Sequence, residues 1–143
     1  GFDETLSRYA WFEDIDASFA AMRQGLVVSA EMAEIYHHRA AAARDNGYRM
    51  GLWAMLNRAY VVTKHVHANP SVFPHPTREA LRLRAYCTAR TLVYAVSGRG
   101  SFARARARGA RAGLRALGAF TRAPADRLSE VYDAFNTDAV DHR

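Results

Sequence analysis

The chain has 143 residues, half of them hydrophobic, which is enough for one globular domain with a core of its own. Twenty basic side chains against fourteen acidic ones give a net charge of +6 and favour an anionic partner. The single cysteine, Cys87, excludes an internal disulfide, and no apolar stretch approaches the roughly 20 residues of a membrane-spanning helix.

The first predicted helix covers residues 11–24. Its apolar side chains recur at steps of three, four and three residues, at Phe12, Ile15, Phe19 and Met22. This spacing predicts an amphipathic helix whose apolar side faces the core, and Gly25 can end it in a left-handed conformation.

Two short strands are predicted next, because residues 26–28 and 33–36 are brief runs rich in β-branched, aromatic or other apolar side chains. His37 and His38 close the second strand. Neighbouring residues on a strand face opposite sides, so we expect one of the two imidazoles to point inward and the other outward.

The remainder of the chain reads as helical. The spacing of apolar residues predicts helices over residues 48–64, Thr77–Val96, Phe102–Phe120 and Ala125–Phe135, with a break at Pro70, Pro74 and Pro76. One side of the second of these helices carries Leu81, Ala85, Ala89, Leu92 and Val96. In the third, Gly109, Gly113 and Gly118 each cost about 1 kcal/mol of helix stability relative to alanine.

Three acids, Glu13, Asp14 and Asp16, fall in the first turns of the first helix. One interpretation is purely structural, because the helix dipole stabilises negative charge there by about 0.3–1 kcal/mol per residue. Helical phase favours a second interpretation, since Asp14 lies on one flank of the apolar side and Glu13 with Asp16 on the other. The acids then border the buried face, where the rim of a pocket would be.

Four motifs in the first 37 residues carry a resemblance to a known family. They are Gly1-Phe2-Asp3-Glu4, Glu13-Asp14-Ile15-Asp16, Arg23 with Gly25 one residue closer than usual, and Ala33-Glu34-Ile35-Tyr36-His37. In this order and at these distances they resemble the inverting family 2 glycosyltransferases of the GT-A fold. The resemblance implies a mostly α chain with a short two-strand β element, in which residues 1–45 end a GT-A α/β catalytic domain and residues 46–143 form a helical extension.

The resemblance also implies roles for single residues. Asp14 takes the place of the general base that removes a proton from the acceptor hydroxyl, and Glu13 and Asp16 take those of groups that hold acceptor hydroxyls. His37 matches a position that helps to bind the metal or the diphosphate, with His38 as the alternative. The helix that contains Asn57, Arg58 and Tyr60 is similar to one that approaches the donor phosphates or the acceptor in these enzymes.

The implied ligands are a nucleotide-sugar donor and a saccharide or lipid-linked acceptor, as in the assembly of cell-envelope polysaccharides. A divalent cation, Mg²⁺ or Mn²⁺, would be bound mostly by a nucleotide-binding half that this chain lacks. We therefore expect the chain to be the acceptor-side part of a longer polypeptide, inactive alone, cytoplasmic and peripheral at the inner face of the plasma membrane.

Two other groups of residues suggest binding. His65, His67 and His75 could be zinc ligands, but they lack a fourth ligand and are better interpreted as polar loop residues. The exposed side of the helix predicted over Phe102–Phe120 is expected to carry four arginines, Arg104, Arg108, Arg111 and Arg115. This basic face is either simply solvated or binds an anionic membrane; nucleic acid is less favoured, because no aromatic residues alternate with the arginines. A free-standing basic helical module is thus the alternative to the glycosyltransferase.

Overall fold

The computed structural model describes residues 3–6, 12–25 and 46–141. These residues form five α-helices: α1 (Glu13–Ala21), α2 (Gly47–Ala68), α3 (Pro76–Val96), α4 (Ser101–Phe120) and α5 (Leu128–Asp141). Short 3₁₀ turns at Glu4–Leu6 and Ala125–Arg127 precede α1 and α5. Residues 26–28 and 33–36, where strands were predicted, lie outside the described residues, as do His37 and His38.

The expected α/β fold is wrong, because the structure is a helical bundle with no strand in its described ranges. The expectation of a GT-A domain came from the resemblance and not from periodicity. Apolar side chains in the described part recur at helical spacing, and the core forms where helix packs against helix. The division into residues 1–45 and 46–143 remains a prediction.

Helix α2 is the centre of the bundle and packs against α1, α3, α4 and α5. It is buried on nearly all sides from Gly51 to Asn57, as expected of a helix that is surrounded by others. Asn46 caps its start, since the side-chain oxygen accepts a hydrogen bond of 2.8 Å from the amide of Arg49. The helix ends at Ala68, two residues before Pro70.

Helices α2 and α4 approach so closely that glycine is required at the crossing. A Cβ atom on Gly51 would collide with the backbone carbonyl of Arg106, and one on Gly109 would collide with that of Tyr48. A Cβ atom on Gly113 would lie 2.7 Å from the Cβ of Met55. Gly109 and Gly113, which weaken α4 as an isolated helix, therefore allow it to pack against α2.

Helix α5 closes the bundle on another side of α2. The Tyr132 hydroxyl donates a hydrogen bond of 2.8 Å to the buried side-chain oxygen of Asn57. The Tyr132 ring also packs edge-on against Tyr60, with 5.3 Å between the ring centroids. A second hydrogen bond between α2 and α5 runs from the indole nitrogen of Trp53 to the side-chain oxygen of Asn136, at 2.9 Å.

Helix α3 faces the bundle with Leu83, Cys87 and Tyr94, which are all buried. Burial raises the pKa of the Cys87 thiol to about 11, as expected for a cysteine that serves as a small core residue. The apolar side of α3 that was predicted from spacing, which runs from Leu81 to Val96, lies opposite these buried residues and faces outward. In the described part of the chain, no helix has both the length and the apolar character needed to cross a bilayer.

Candidate functional site

Helix α1 is rotated relative to the prediction from its apolar spacing. Phe12 and Phe19 are half-buried as expected, but Ile15 and Met22 are 37% and 40% exposed. The residue of α1 that is fully buried is Asp16, which is only 4% exposed. The predicted apolar face is therefore wrong at Ile15 and Met22, because α1 turns a carboxylate toward two partners on α2.

The Asp16 carboxylate binds two neighbouring residues of α2. Lys64 Nζ lies 2.8 Å from Oδ1 and 3.0 Å from Oδ2, and His65 Nε2 lies 2.7 Å from Oδ1. A carboxylate taken out of water needs such partners, since an unpaired buried charge costs several kcal/mol. Both oxygens of Asp16 are thus occupied by groups of the protein itself.

His65 is completely buried and is held from both ring nitrogens. Nε2 donates to Asp16, and Nδ1 accepts from the side-chain amide of Asn69 at 3.2 Å. Burial lowers the pKa of His65 by more than the hydrogen bond to Asp16 raises it, so the imidazole is neutral at pH 7. Phe19 covers the ring, with 5.1 Å between the centroids.

Lys64 also binds Asp3, which lies just before the first 3₁₀ turn. Its Nζ is 2.7 Å from Asp3 Oδ2, and the Tyr60 hydroxyl donates to the same oxygen at 2.7 Å. Burial would raise the pKa of Asp3, but the hydrogen bonds from Lys64 and Tyr60 outweigh it and place this pKa below its ordinary value. Similarly, burial would lower the pKa of Lys64, but the two carboxylates hold it above its ordinary value.

These contacts form one polar network, which we call the Asp16 network. Its members are Asp3, Asp16, Tyr60, Lys64, His65 and Asn69. Each charge in it meets an opposite charge, and each hydrogen-bonding group described here has a partner. The network holds α1 and the first 3₁₀ turn against α2, and its fully paired hydrogen bonds and charges are those of a structural contact.

Asp14, two residues before Asp16, has very different surroundings. Its side chain is exposed and borders a groove of about 280 Å³ between the start of α1 and helices α2 and α3. The groove, which we call the aromatic groove, is lined by Phe12, Asp14, Ile15, Ala54, Met55, Tyr86, Arg90 and Tyr94. Asp14 Oδ1 accepts a hydrogen bond of 2.9 Å from the amide of Ile15, and no described residue binds Oδ2.

Phe12 at the mouth of this groove has a strained backbone. Its φ of +80° lies in the left-handed region, which bulky residues rarely adopt, and its carbonyl accepts the first hydrogen bond of α1 from the Asp16 amide. The Arg58 guanidinium lies between two rings, 4.7 Å from the Phe12 centroid and 3.9 Å from that of Tyr86. Stacking on this cation helps to hold the Phe12 side chain at the groove.

Arginines also define the far side of the groove. The Tyr94 hydroxyl accepts hydrogen bonds of 3.1 Å from Arg90 Nε and from Arg106 Nη2. The buried Nε atoms of Arg58 and Arg106 have no hydrogen-bond partner within the described part of the chain. The groove therefore combines aromatic rings with one carboxylate, Asp14, and one guanidinium, Arg90, while Arg58 and Arg106 contact rings that line it.

The remaining predicted site residues lie in varied positions. Glu13 is half-buried beside Asp14, and Arg104, Arg108, Arg111 and Arg115 are all exposed on α4. His65 and His67 belong to α2 and His75 precedes α3, so the loop placement is wrong for the first two. Residues 3–6, 12–25 and 46–141 contain no group of three or more potential metal ligands. The predicted proximity of Asp14 to His37 or His38 concerns two histidines that lie outside the described residues.

Asn57 and Tyr60, which were expected near donor or acceptor, are committed to the core. Asn57 binds Tyr132 and Tyr60 binds Asp3, as described above. Arg58 alone of the three reaches the aromatic groove, through its stacking on Phe12 and Tyr86.

Sequence reasoning did not single out Lys64, Tyr86 or Arg90, and it considered His65 only as a zinc ligand or a loop residue. One signal was available for α2, because Tyr60 and Lys64 are four residues apart, as are His65 and Asn69, and this spacing places the two members of each pair on one side of a helix. Tyr86 and Arg90 are also four residues apart on α3. Nothing in a single sequence shows that these sides of α2 and α3 meet α1.

Comparison of the chain with models of known protein families, with curated proteins and with solved structures finds no match.

Proposed function

We propose that this chain forms the acceptor side of a glycosyl-transferring enzyme, in which the aromatic groove binds the acceptor sugar and Asp14 is the base. The observation that carries the proposal is the placement of an exposed carboxylate, with one oxygen unused by any described residue, at the edge of a groove lined by Phe12, Tyr86 and Tyr94. The four sequence motifs that resemble family 2 glycosyltransferases support the same chemistry.

The composition of the groove suits a saccharide. Small-molecule sites are mostly apolar with a few placed polar groups, and their volumes begin near 300 Å³. The C–H face of a pyranose ring can stack on an aromatic ring, while its hydroxyls bind a carboxylate and a guanidinium. Asp14 and Arg90, which both line the groove, supply these two polar groups.

The proposed step moves one proton and exchanges one bond. Asp14 Oδ2 accepts the proton of the acceptor hydroxyl as that oxygen bonds to the anomeric carbon of the donor sugar. The bond from this carbon to the leaving nucleoside diphosphate breaks and its electron pair stays with the phosphate oxygen. Among the described residues, no group of three or more potential ligands is available for the expected divalent cation.

The two other acids then have separate roles. Glu13, which is half-buried, keeps the acceptor-binding role that the resemblance implies for it. Asp16 was expected to do the same, but both of its oxygens are engaged by Lys64 and His65. We propose that Asp16 instead fixes the position of α1, and with it the position of Asp14.

Titration with neutral methyl pyranosides, followed by backbone amide NMR of the full chain, tests the groove. We expect shifts at residues 12–15 and 86–94 up to about 50 mM sugar, since weak sites of this kind have millimolar dissociation constants. Tyr86→Ala should weaken binding several-fold, whereas Val72→Ala, an exposed apolar residue outside the groove, should not. Shifts that avoid the groove, or that persist unchanged in Tyr86→Ala, would disprove acceptor binding there.

The role of Asp14 is tested by an assay of sugar transfer from nucleotide-sugar donors to a saccharide acceptor. Loss of the base in Asp14→Asn should lower kcat by about 10²–10⁴-fold with little change in stability. Undiminished transfer by this variant would remove Asp14 from the mechanism, even if the groove still binds sugars.

A further inference from the structure

An apolar side of α3 faces away from the bundle, and we call it the outer face of α3. It consists of Leu81, Ala85, Ala89, Leu92 and Val96. Leu81, Leu92 and Val96 are 64%, 61% and 82% exposed, the highest values among the large hydrophobic side chains described. At 100° per residue, these positions lie opposite the buried line of Leu83, Cys87 and Tyr94.

The outer face is continuous along the helix. From Leu81 to Val96 it extends over about 22 Å at 1.5 Å per residue. Scattered single apolar residues on a surface need no explanation, but an ordered stripe of them on one helix marks an interaction site. The rest of α3 carries charged side chains, and no helix in the described ranges has both the length and the apolar character to cross a bilayer.

The charges around the stripe are almost all positive. Arg78, Arg82 and Arg84 are exposed at its beginning, and the only acid of α3, Glu79, is paired with Arg82 at 2.7 Å. Between positions 76 and 120 the sequence has ten arginines and one acid. Helix α4, which packs against α3, also has exposed arginines, at positions 104, 108, 111 and 115.

We propose that the outer face of α3 docks on an anionic lipid bilayer, with its leucine and valine side chains at the level of the acyl chains and the neighbouring arginines on the lipid headgroups. An apolar stripe bordered by arginines is the pattern of helices that lie in the membrane interface. This inference is independent of the proposed function, because it uses no residue of the aromatic groove.

Charge complementarity favours a membrane over the two other possible occupants. A second copy of the chain would bring arginine-rich surfaces together, where like charges repel. Nucleic acid would pair with the arginines but would leave Leu81, Leu92 and Val96 without apolar contacts. An anionic bilayer satisfies both the arginines and the aliphatic side chains.

Co-sedimentation of the full chain with lipid vesicles tests the proposal. We expect binding to vesicles of phosphatidylcholine and phosphatidylglycerol, weaker binding to phosphatidylcholine alone, and a loss of affinity as salt is raised. Leu92→Ser with Val96→Ser should reduce the partition coefficient by about tenfold or more, because two aliphatic side chains no longer enter the bilayer. Arg78→Gln with Arg84→Gln should weaken binding to the anionic vesicles only.

Val72→Ser is the matched control, because Val72 is 41% exposed but lies outside α3, and it should bind as the unaltered chain does. Far-ultraviolet circular dichroism checks that every variant is folded. Equal vesicle binding by Leu92→Ser/Val96→Ser and by the unaltered chain overturns the proposal. So does a lipid-free dimer that the same double variant abolishes, or binding to DNA in preference to anionic vesicles.

Discussion

Asp14 and Asp16 are two residues apart on α1 and have opposite surroundings. Asp16 is 4% exposed and is bound on both oxygens, whereas Asp14 is exposed at the aromatic groove. Sequence reasoning singled out both acids and placed them on the flanks of a predicted apolar face, whereas the structure buries Asp16 and exposes Ile15. It could not assign their roles, because Lys64 and His65 come from a helix 48 residues further along the chain.

At the scale of single residues, His65 makes stability depend on pH. Its pKa lies below the unfolded value of about 6.5, so the unfolded chain takes up this proton first as the pH falls. The stabilisation that neutral His65 provides is therefore complete above about pH 6.5 and is lost progressively at lower pH.

We expect His65→Gln, which can still donate to Asp16, to be less stable than the unaltered chain at pH 7.5. The difference in the free energy of unfolding should shrink as the pH is lowered toward about 5, since the histidine then favours the unfolded state. Urea denaturation at a series of pH values measures it. A difference that grows on acidification would mean that His65 is stabilised as the cation.

At the scale of elements, periodicity predicted where helices form better than which side is buried. Helices α2, α3 and α4 begin within one residue of their predicted starts. The regular apolar stripe of α3 is nevertheless exposed, and α1 buries a carboxylate in place of Ile15. Spacing alone shows that a helix has a distinctive side, but its neighbours decide whether this side meets the core, a ligand or another surface.

The glycines of α4 give an element-scale prediction with an internal control. Gly109→Ala should lower the free energy of unfolding by about 2–3 kcal/mol, because its Cβ collides with the α2 backbone at Tyr48. Gly118→Ala should raise it by about 0.5–1 kcal/mol, since only the end of the Arg122 side chain is near and alanine favours the helix. Denaturant unfolding distinguishes the two, and a stabilising Gly109→Ala would contradict the close crossing of α2 and α4.

At the scale of the whole molecule, the Asp16 network joins the described residues that precede position 45 to helix α2, which follows it. Asp3 and Asp16 precede position 45, where a domain boundary was expected, and Lys64 and His65 follow it. The aromatic groove is built across the same boundary, from the start of α1 and from α2 and α3. The groove therefore depends on the network to hold α1 in place, which no reading of the motifs alone could show.

Urea denaturation of Asp14→Asn and Asp16→Asn side by side tests this division of roles most directly. Asp16→Asn should lose about 2–4 kcal/mol of stability, because Lys64 and buried His65 lose their charged partner. Asp14→Asn should change stability by less than about 1 kcal/mol, as expected for an exposed acid in a first helical turn. Equal losses in the two variants, or a greater loss for Asp14→Asn, would contradict the claim that Asp16 anchors the site and leaves Asp14 free to act.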